Sequence, residues 1–231
     1  MLLFSLECSA AAASAALLRD GKLLGEEFLN VPQTHSVTLL SMAQSLLEHT
    51  GIAPSQIDYY AVSRGPGSFT GLRIGIAAVK GLAFPDNTPC IGISTPEAIA
   101  YGLLGFTGTV VPMMDARCGQ VYTALFEGKD GAISRLTEDE ALPLTALCEK
   151  LRELPAPLWL CGDGAHLGLA AWEKELPVKI APAHLCYQHA SAVGLAALQH
   201  LAEAVPPAAL VPCYLRPANA MTLAQRQQNN E

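Results

Sequence analysis

The sequence is poor in the features that make common functions readable. Its 231 residues carry only 14 Lys and Arg against 21 Asp and Glu, a formal net charge of −7. No basic run stands out, and a charge of that sign repels phosphate backbones, so an autonomous nucleic-acid binder is not expected. Seven cysteines, at positions 8, 90, 118, 148, 161, 186 and 213, form no C-x-x-C pair and are odd in number. Reduced thiols in a cytosol are expected. No two of the six histidines stand four apart, so the helical zinc or iron spacing is absent and a metallopeptidase lacks its ligands. There is no G-x-S-x-G, no G-x-x-x-x-G-K-[ST] and no G-x-G-x-x-G, so nothing nominates a nucleophile or a standard phosphate loop. The longest apolar stretch, residues 91–114, is broken by Pro96, Glu97, Pro112 and several glycines and does not read as a membrane span. The apolar start has no basic leader and is interrupted at Glu7, so it does not read as a secretion signal, and a cytoplasmic location is expected.

What is present is core-forming material. Hydrophobic residues make up 51% and charged residues 15%, enough to bury a sizeable core in one large or two small domains. Leu2 to Leu6 reads as a buried strand, and Ala15 to Leu18 leads into Asp20-Gly21, a hairpin signal, so three antiparallel strands are expected first. From His35 to His49 apolar residues fall at 39, 42, 43 and 46 and at 40, 43 and 47, which is helical spacing. Thr34 suits the cap of this helix and Gly51 its left-handed end. Ile57 to Val62 reads as a strand entering Arg64, Gly65, Pro66, Gly67, Ser68, Phe69 and Thr70, followed by a helix from Leu72 to Phe84 that Pro85 stops.

From Val110 the pattern starts again. A strand ends at Asp115, a turn follows at Cys118-Gly119, a strand runs from Gln120 to Phe126, and Asp130-Gly131 is a second hairpin signal. Glu7 to Asp115 is 108 positions and Asp20 to Asp130 is 110, so two related halves are expected, 1–106 and 107–216, with a polar tail at 217–231. The second half continues with a helix over 144–154, a strand at Leu158 to Cys161 entering Gly162-Asp163-Gly164, and a helix over 190–204.

Chemistry has few places to reside. A strand, a glycine-rich turn and a helix start present unpaired amides to phosphate, and residues 64–71 have that form. The same glycines equally serve a tight turn that lets the helix pack close to its sheet. On that helix Gly71, Gly75, Ala78 and Leu82 make one stripe of mostly small side chains, which admits a close neighbour within the chain or from another, with Arg73 and Lys80 as charges at its rim.

The run Ser63 to Gly75, SRGPGSFTGLRIG, with Gly81-Leu82-Ala83 after it, resembles the hallmark segment of the TsaB (YeaZ) family. His35-Ser36, Gly92 to Thr95, Asp115-Ala116-Arg117, Val121-Tyr122 and Tyr214-Leu215-Arg216 support the resemblance across almost the whole chain. It implies an α/β fold of the actin/sugar-kinase/Hsp70-like (ASKHA) kind, two duplicated lobes each with a mixed β-sheet and flanking helices. It also implies a non-catalytic paralogue of the transferase TsaD, acting with TsaD and TsaE to form N6-threonylcarbamoyladenosine (t6A) at position 37 of tRNAs reading ANN codons. ATP or ADP and metal are then expected on TsaD and no cofactor on this chain, with tRNA met only through the complex and a homodimer formed when the chain is alone. Glu7 and Asp115 fall where this superfamily places acids around a metal-nucleotide. Here they are degenerate, because Cys8, Ser9 and four alanines follow Glu7 where an active loop has glycine and a hydroxyl residue. The alternative within the same fold is a stand-alone small phosphotransferase or ATPase. The partner interface is expected on Leu39, Met42, Ala43 and Leu46 of the first helix and on Gly71, Arg73, Gly75, Ala78, Lys80 and Leu82 of the second.

Overall fold

A computed structural model of the chain describes residues 1–31 and 34–216; the polar tail expected at 217–231 lies outside the described residues. The strand β1 (Leu2–Glu7) is buried along nearly its whole length and pairs antiparallel with β2 (Ala13–Arg19), which pairs antiparallel with β3 (Lys22–Leu29). The turn between β2 and β3 is the expected Asp20-Gly21, both with positive φ (50° and 78°), the geometry of a two-residue hairpin loop. After helix α1 (His35–Thr50), β4 (Tyr59–Gly65) adds parallel to β1. After α2 (Phe69–Ala83), β5 (Cys90–Ser94) adds parallel to β4, giving the order β3-β2-β1-β4-β5. Short helix α3 (Thr95–Tyr101) then leads to the second sheet.

The second half begins with β6 (Gly108–Pro112), followed by the hairpin β7 (Met114–Arg117) and β8 (Gln120–Thr123), then β9 (Phe126–Lys129), β10 (Ala132–Arg135) and β11 (Glu140–Pro143). Helix α4 (Leu144–Leu151), β12 (Leu158–Cys161), α5 (Ala165–Trp172), β13 (Val178–Ile180) and α6 (Ala190–Ala197) complete it. The order β10-β9-β6-β12-β13 repeats the first sheet strand for strand, with the same two antiparallel and two parallel pairings. Asp130-Gly131, at φ 52° and 75°, matches Asp20-Gly21 in place and geometry.

Three expectations are corrected. The strand read continuously from Gln120 to Phe126 is two strands in different sheets: β8 joins β7 and β11 in a separate three-stranded sheet, and β9 is the true counterpart of β2. The half read as 107–216 does not stay in its own lobe. Helix α6 is short, is apolar but for Ser191, and packs on the inner face of the first sheet with Leu3, Ala16, Leu18 and Ile91. Thr34 makes no side-chain cap bond, whereas Gly51 adopts the expected left-handed end at φ 64°.

The layers follow from the apolar faces. α1 and α2 cover the outer face of the first sheet, burying Leu39, Met42, Ala43 and Leu46 with Phe4, Leu6, Val62 and Val79. α4 and α5 cover the outer face of the second, around Leu147, Leu160 and Trp172. Between the sheets lie α6 and α3, the latter packing Ile99 and Ala100, with Leu103 just after it, against Val110, Phe126 and Cys161.

Candidate functional site

The signature segment is the turn from β4 into α2, and its glycines are there because backbone occupies the space a side chain needs. A Cβ on Gly65 (φ 123°) would lie 2.2 Å from the Cys213 carbonyl oxygen, and one on Gly67 (φ 158°) 2.6 Å from that of Ser9. The loop is thus clamped between the segment after β1 and the last described stretch, and Cys213 N–H donates to the Arg64 carbonyl at 2.7 Å. Ser68 caps α2, its Oγ accepting from Gly71 N–H at 3.2 Å, so the helix starts three residues earlier than Leu72.

Two of the amides beside the cleft are spent inside the chain. Ser68 N–H donates to the Ser9 carbonyl at 2.7 Å, and Ser9 N–H donates to Glu7 Oε1 at 2.5 Å. Glu7 is fully buried and its other oxygen accepts from the Ser63 hydroxyl. Burial pushes its carboxyl pKa above the ordinary carboxylate range, although the hydroxyl and amide bonds oppose the shift. Cys8 is sealed in the same way, its Sγ donating to the Gly71 carbonyl at 3.1 Å, and burial pushes the thiol pKa far up. His35 Nε2 is 2.7 Å from the Ala10 carbonyl and holds the loop after β1 against α1.

Between the lobes lies a cleft of about 450 Å³, lined by Ser9, Ala10 and Ala11 on one side and Asp115, Arg117, Tyr122 and Asp163 on the other. Asp115 is not a free acid: it accepts from Arg117 N–H at 2.8 Å and from Arg117 Nη1 at 3.1 Å. Asp163, which sequence reasoning saw only as part of a glycine-flanked turn, is the second carboxylate here. Burial raises its pKa, the charge of Asp115 adds to the effect, and a 2.9 Å bond from Gln188 Nε2 opposes it. Among the described residues no group of three or more His, Cys, Asp or Glu could hold a metal ion. Glu7, below the cleft rather than in its lining, does not meet Asp115 as a pair of metal-nucleotide acids would.

The helix face differs from its expectation residue by residue. Gly71 and Gly75 point into the lobe: a Cβ on Gly71 would lie 2.1 Å from the Cys8 carbonyl oxygen and one on Gly75 2.9 Å from Cys8 Sγ. Leu39, Met42, Ala43, Leu46 and Ala78 are 9% exposed or less and contribute to the core, although Leu39 and Ala78 also line one groove between the helices and Ala43 the other. A charge at Gly75 therefore unfolds the lobe instead of testing an interface. Arg73 and Lys80 are engaged within the chain, Arg73 Nε donating to the Tyr214 hydroxyl at 3.1 Å and Lys80 Nζ to the Ala208 carbonyl at 3.2 Å. What α1 and α2 leave open lies one register over. Leu40 is 52% exposed and Val37 67%, a Cβ on Gly81 would meet nothing within 4 Å, and Leu82 is half-buried. Two adjoining grooves of about 450 and 580 Å³ run between the helices, sharing Leu40 and Leu82, with Ile74, Ala77 and Gly81 in one and Leu47, Ile52 and Pro54 in the other. The sequence carried part of this signal: Leu82 of the expected interface lines both grooves, and Leu40 and Leu47 of the second apolar spacing line them as well.

Two sheets of one topology, helices between and outside them, and an interlobe cleft at the ends of β1 and β6 define a two-lobed protein of the actin/sugar-kinase/Hsp70-like superfamily. The fold is shared with component A of the (R)-2-hydroxyglutaryl-CoA dehydratase of Acidaminococcus fermentans, TM-score 0.54 at 10% identity over 87% of this chain and 99% of that one. Residues 29–223 match the family described as TsaD, tRNA N6-adenosine threonylcarbamoyltransferase. A Bacillus subtilis relative, named tRNA threonylcarbamoyladenosine biosynthesis protein TsaB, is 32% identical over 95% of this chain and 96% of its own length. The solved structure of YeaZ from Pseudomonas aeruginosa superposes with a TM-score of 0.74 at 27% identity, covering 93% of this chain and 99% of that one. The chain belongs to the TsaB (YeaZ) family.

Proposed function

We propose that this chain is the accessory, non-catalytic subunit in the formation of t6A at position 37 of tRNAs reading ANN codons, pairing with a TsaD-type protein that TsaE joins. The names of its relatives support the pathway. The observation that carries the subunit role is a contrast within the molecule: the acids Glu7, Asp115 and Asp163 at and below the interlobe cleft are already bonded within the chain, while the face between α1 and α2 is apolar and uncovered. A phosphate needs open amides and a metal needs convergent carboxylates. Here the amides of Ser9 and Ser68 are bonded internally, Glu7 is sealed by Ser63, and Asp115 is paired with Arg117. These residues do not fit a metal-nucleotide, so ATP or ADP and metal are assigned to the TsaD-type partner.

An apolar groove between two helices accepts a helix pair from another chain, and the open position at Gly81 lets that pair approach closely. When the partner is absent a second copy of the chain occupies the same face, giving a homodimer. Leu40→Asp combined with Gly81→Arg tests this, since both positions are open and the lobe remains folded. The expected result is an unchanged circular-dichroism melt, a monomeric elution volume, and loss of co-elution with the TsaD-type protein. Co-elution retained by the folded variant contradicts the proposal.

A further inference from the structure

Net charge hides a local reversal. Three arginines that lie far apart in the sequence converge beside the signature loop. The guanidinium of Arg73 stacks 3.8 Å over the ring of Phe69, whose centroid is 4.8 Å from that of Tyr214. Arg117 stands on the β7–β8 turn with its side chain 85% exposed. Arg216 donates one N–H to the Ala116 carbonyl at 2.9 Å, which leaves most of its five donors to other acceptors. With Phe69, Tyr122 and Tyr214, Arg117 and Arg216 line a pocket of about 190 Å³ that opens next to the interlobe cleft. Among the described residues the one acid paired with these arginines is Asp115, on Arg117, so the rim carries a local excess of positive charge in a chain whose total charge is −7.

We propose that this pocket is a contact site for a single-stranded segment of RNA, taking one phosphate or one base at a time. Guanidinium forks recognise phosphate oxygens and aromatic faces stack bases, and the two interleaved are the chemistry of single-strand binding. The pocket is small, and it shares Gly67, Ala116, Arg117 and Tyr122 with the adjoining cleft, so AMP as a competitor separates a free nucleotide from a polymer. At about 30 Å³ per water the pocket holds roughly six waters, below the roughly 300 Å³ at which small-molecule sites begin. It admits one ring or one phosphate group, and the remainder of the ligand lies outside along the arginine-bearing rim. The site is separate from the α1–α2 face and rests on the function proposed above only in taking the RNA to be tRNA. It modifies the expectation that this chain meets tRNA solely through its partner: contact is direct but weak, because the rest of the surface is acidic.

The test is fluorescence anisotropy of a labelled anticodon stem-loop oligoribonucleotide with the full chain at low ionic strength, beside AMP and inorganic phosphate as competitors. Arg117→Ala combined with Arg216→Ala is expected to weaken binding by about tenfold and to flatten the log–log salt dependence by about 0.7 for each phosphate no longer held. Arg117→Lys with Arg216→Lys restores the salt slope, and Arg152→Ala, a surface arginine paired with Glu175 on the second lobe, changes nothing. No binding, binding indifferent to the arginine pair, or displacement by AMP or phosphate as readily as by unlabelled RNA overturns the proposal. Co-elution of the arginine variants with the TsaD-type protein is measured in parallel. Its loss in the parent chain counts against the subunit role, and its retention with unchanged RNA binding counts against this site alone.

Discussion

Two glycines of α2 receive the same methyl group with opposite effect. In Gly71→Ala the new carbon falls 2.1 Å from the Cys8 carbonyl oxygen and 3.3 Å from the carbonyl carbon, both backbone atoms. Relief requires α2 to move about 1 Å from the end of β1, where the Cys8 thiol and the Ser68 amide hold it. Overpacking of this kind costs about 1–3 kcal/mol, and contact with backbone puts it at the upper end. The gain in helix propensity returns about 1 kcal/mol, leaving a net loss of about 2 kcal/mol. In Gly81→Ala nothing lies within 4 Å of the new carbon, so only the propensity gain of up to about 1 kcal/mol remains. For a chain of this size each kcal/mol moves the midpoint by about 2–4 °C. A circular-dichroism melt of the dilute chain should therefore fall by about 4–8 °C for Gly71→Ala and rise by about 2–4 °C for Gly81→Ala. A Gly71→Ala melt at or above that of the parent refutes the inward packing of α2, and with it the assignment of the outward face to Gly81 and Leu40.

Glu7→Gln should leave stability at pH 7 equal to or above the parent, because burial disfavours the charged carboxylate, whereas Glu7→Ala strands the Ser63 hydroxyl and Ser9 amide at a cost of about 2 kcal/mol; a urea midpoint lower in Gln than in Ala contradicts this. Burial lowers the His189 and His200 pKa values, but bonds to Glu26 and to Glu203 and Glu97 outweigh it, and both end above the ordinary 6.5. Their contribution is complete below pH 6.5 and lost as pH rises through the raised values, so His189→Gln with His200→Gln should flatten the fall in stability on the alkaline side of 6.5. Glu97 is shared with Arg135, which keeps that acid paired in the variant; an unchanged slope removes these histidines from the account. ATP turnover by the purified chain is expected at buffer background, and turnover that disappears in Glu7→Ala would contradict the sealed loop.

Local signals were legible where a residue's own geometry decides the structure. Asp20-Gly21 and Asp130-Gly131 are the same hairpin turn in two lobes, and their spacing exposed the duplication. Direction was not legible. A stripe of Gly71, Gly75 and Ala78 looks alike whether its neighbour is the chain's own β1 or a second protein, and only the 2.1 Å approach to Cys8 decides it. Helix α6 is buried except at half-exposed Ser191 and Leu195, so Ala190 to Ala197 carry no pattern that says which sheet they join. The apolar segment ending in Asp115 hid the break at Pro112 that sends β7 into another sheet. Asp163 entered the cleft unannounced because its partner, Gln188, lies 25 positions away. Arg73, Arg117 and Arg216 form no run, so their convergence was invisible to composition.

The most direct measurement is the t6A content of bulk tRNA, read by nucleoside mass spectrometry, from cells in which this chain is replaced by Leu40→Asp with Gly81→Arg. The account predicts a folded variant at normal abundance and t6A reduced to the level of cells lacking the chain. Normal t6A in those cells, with the variant folded, contradicts it.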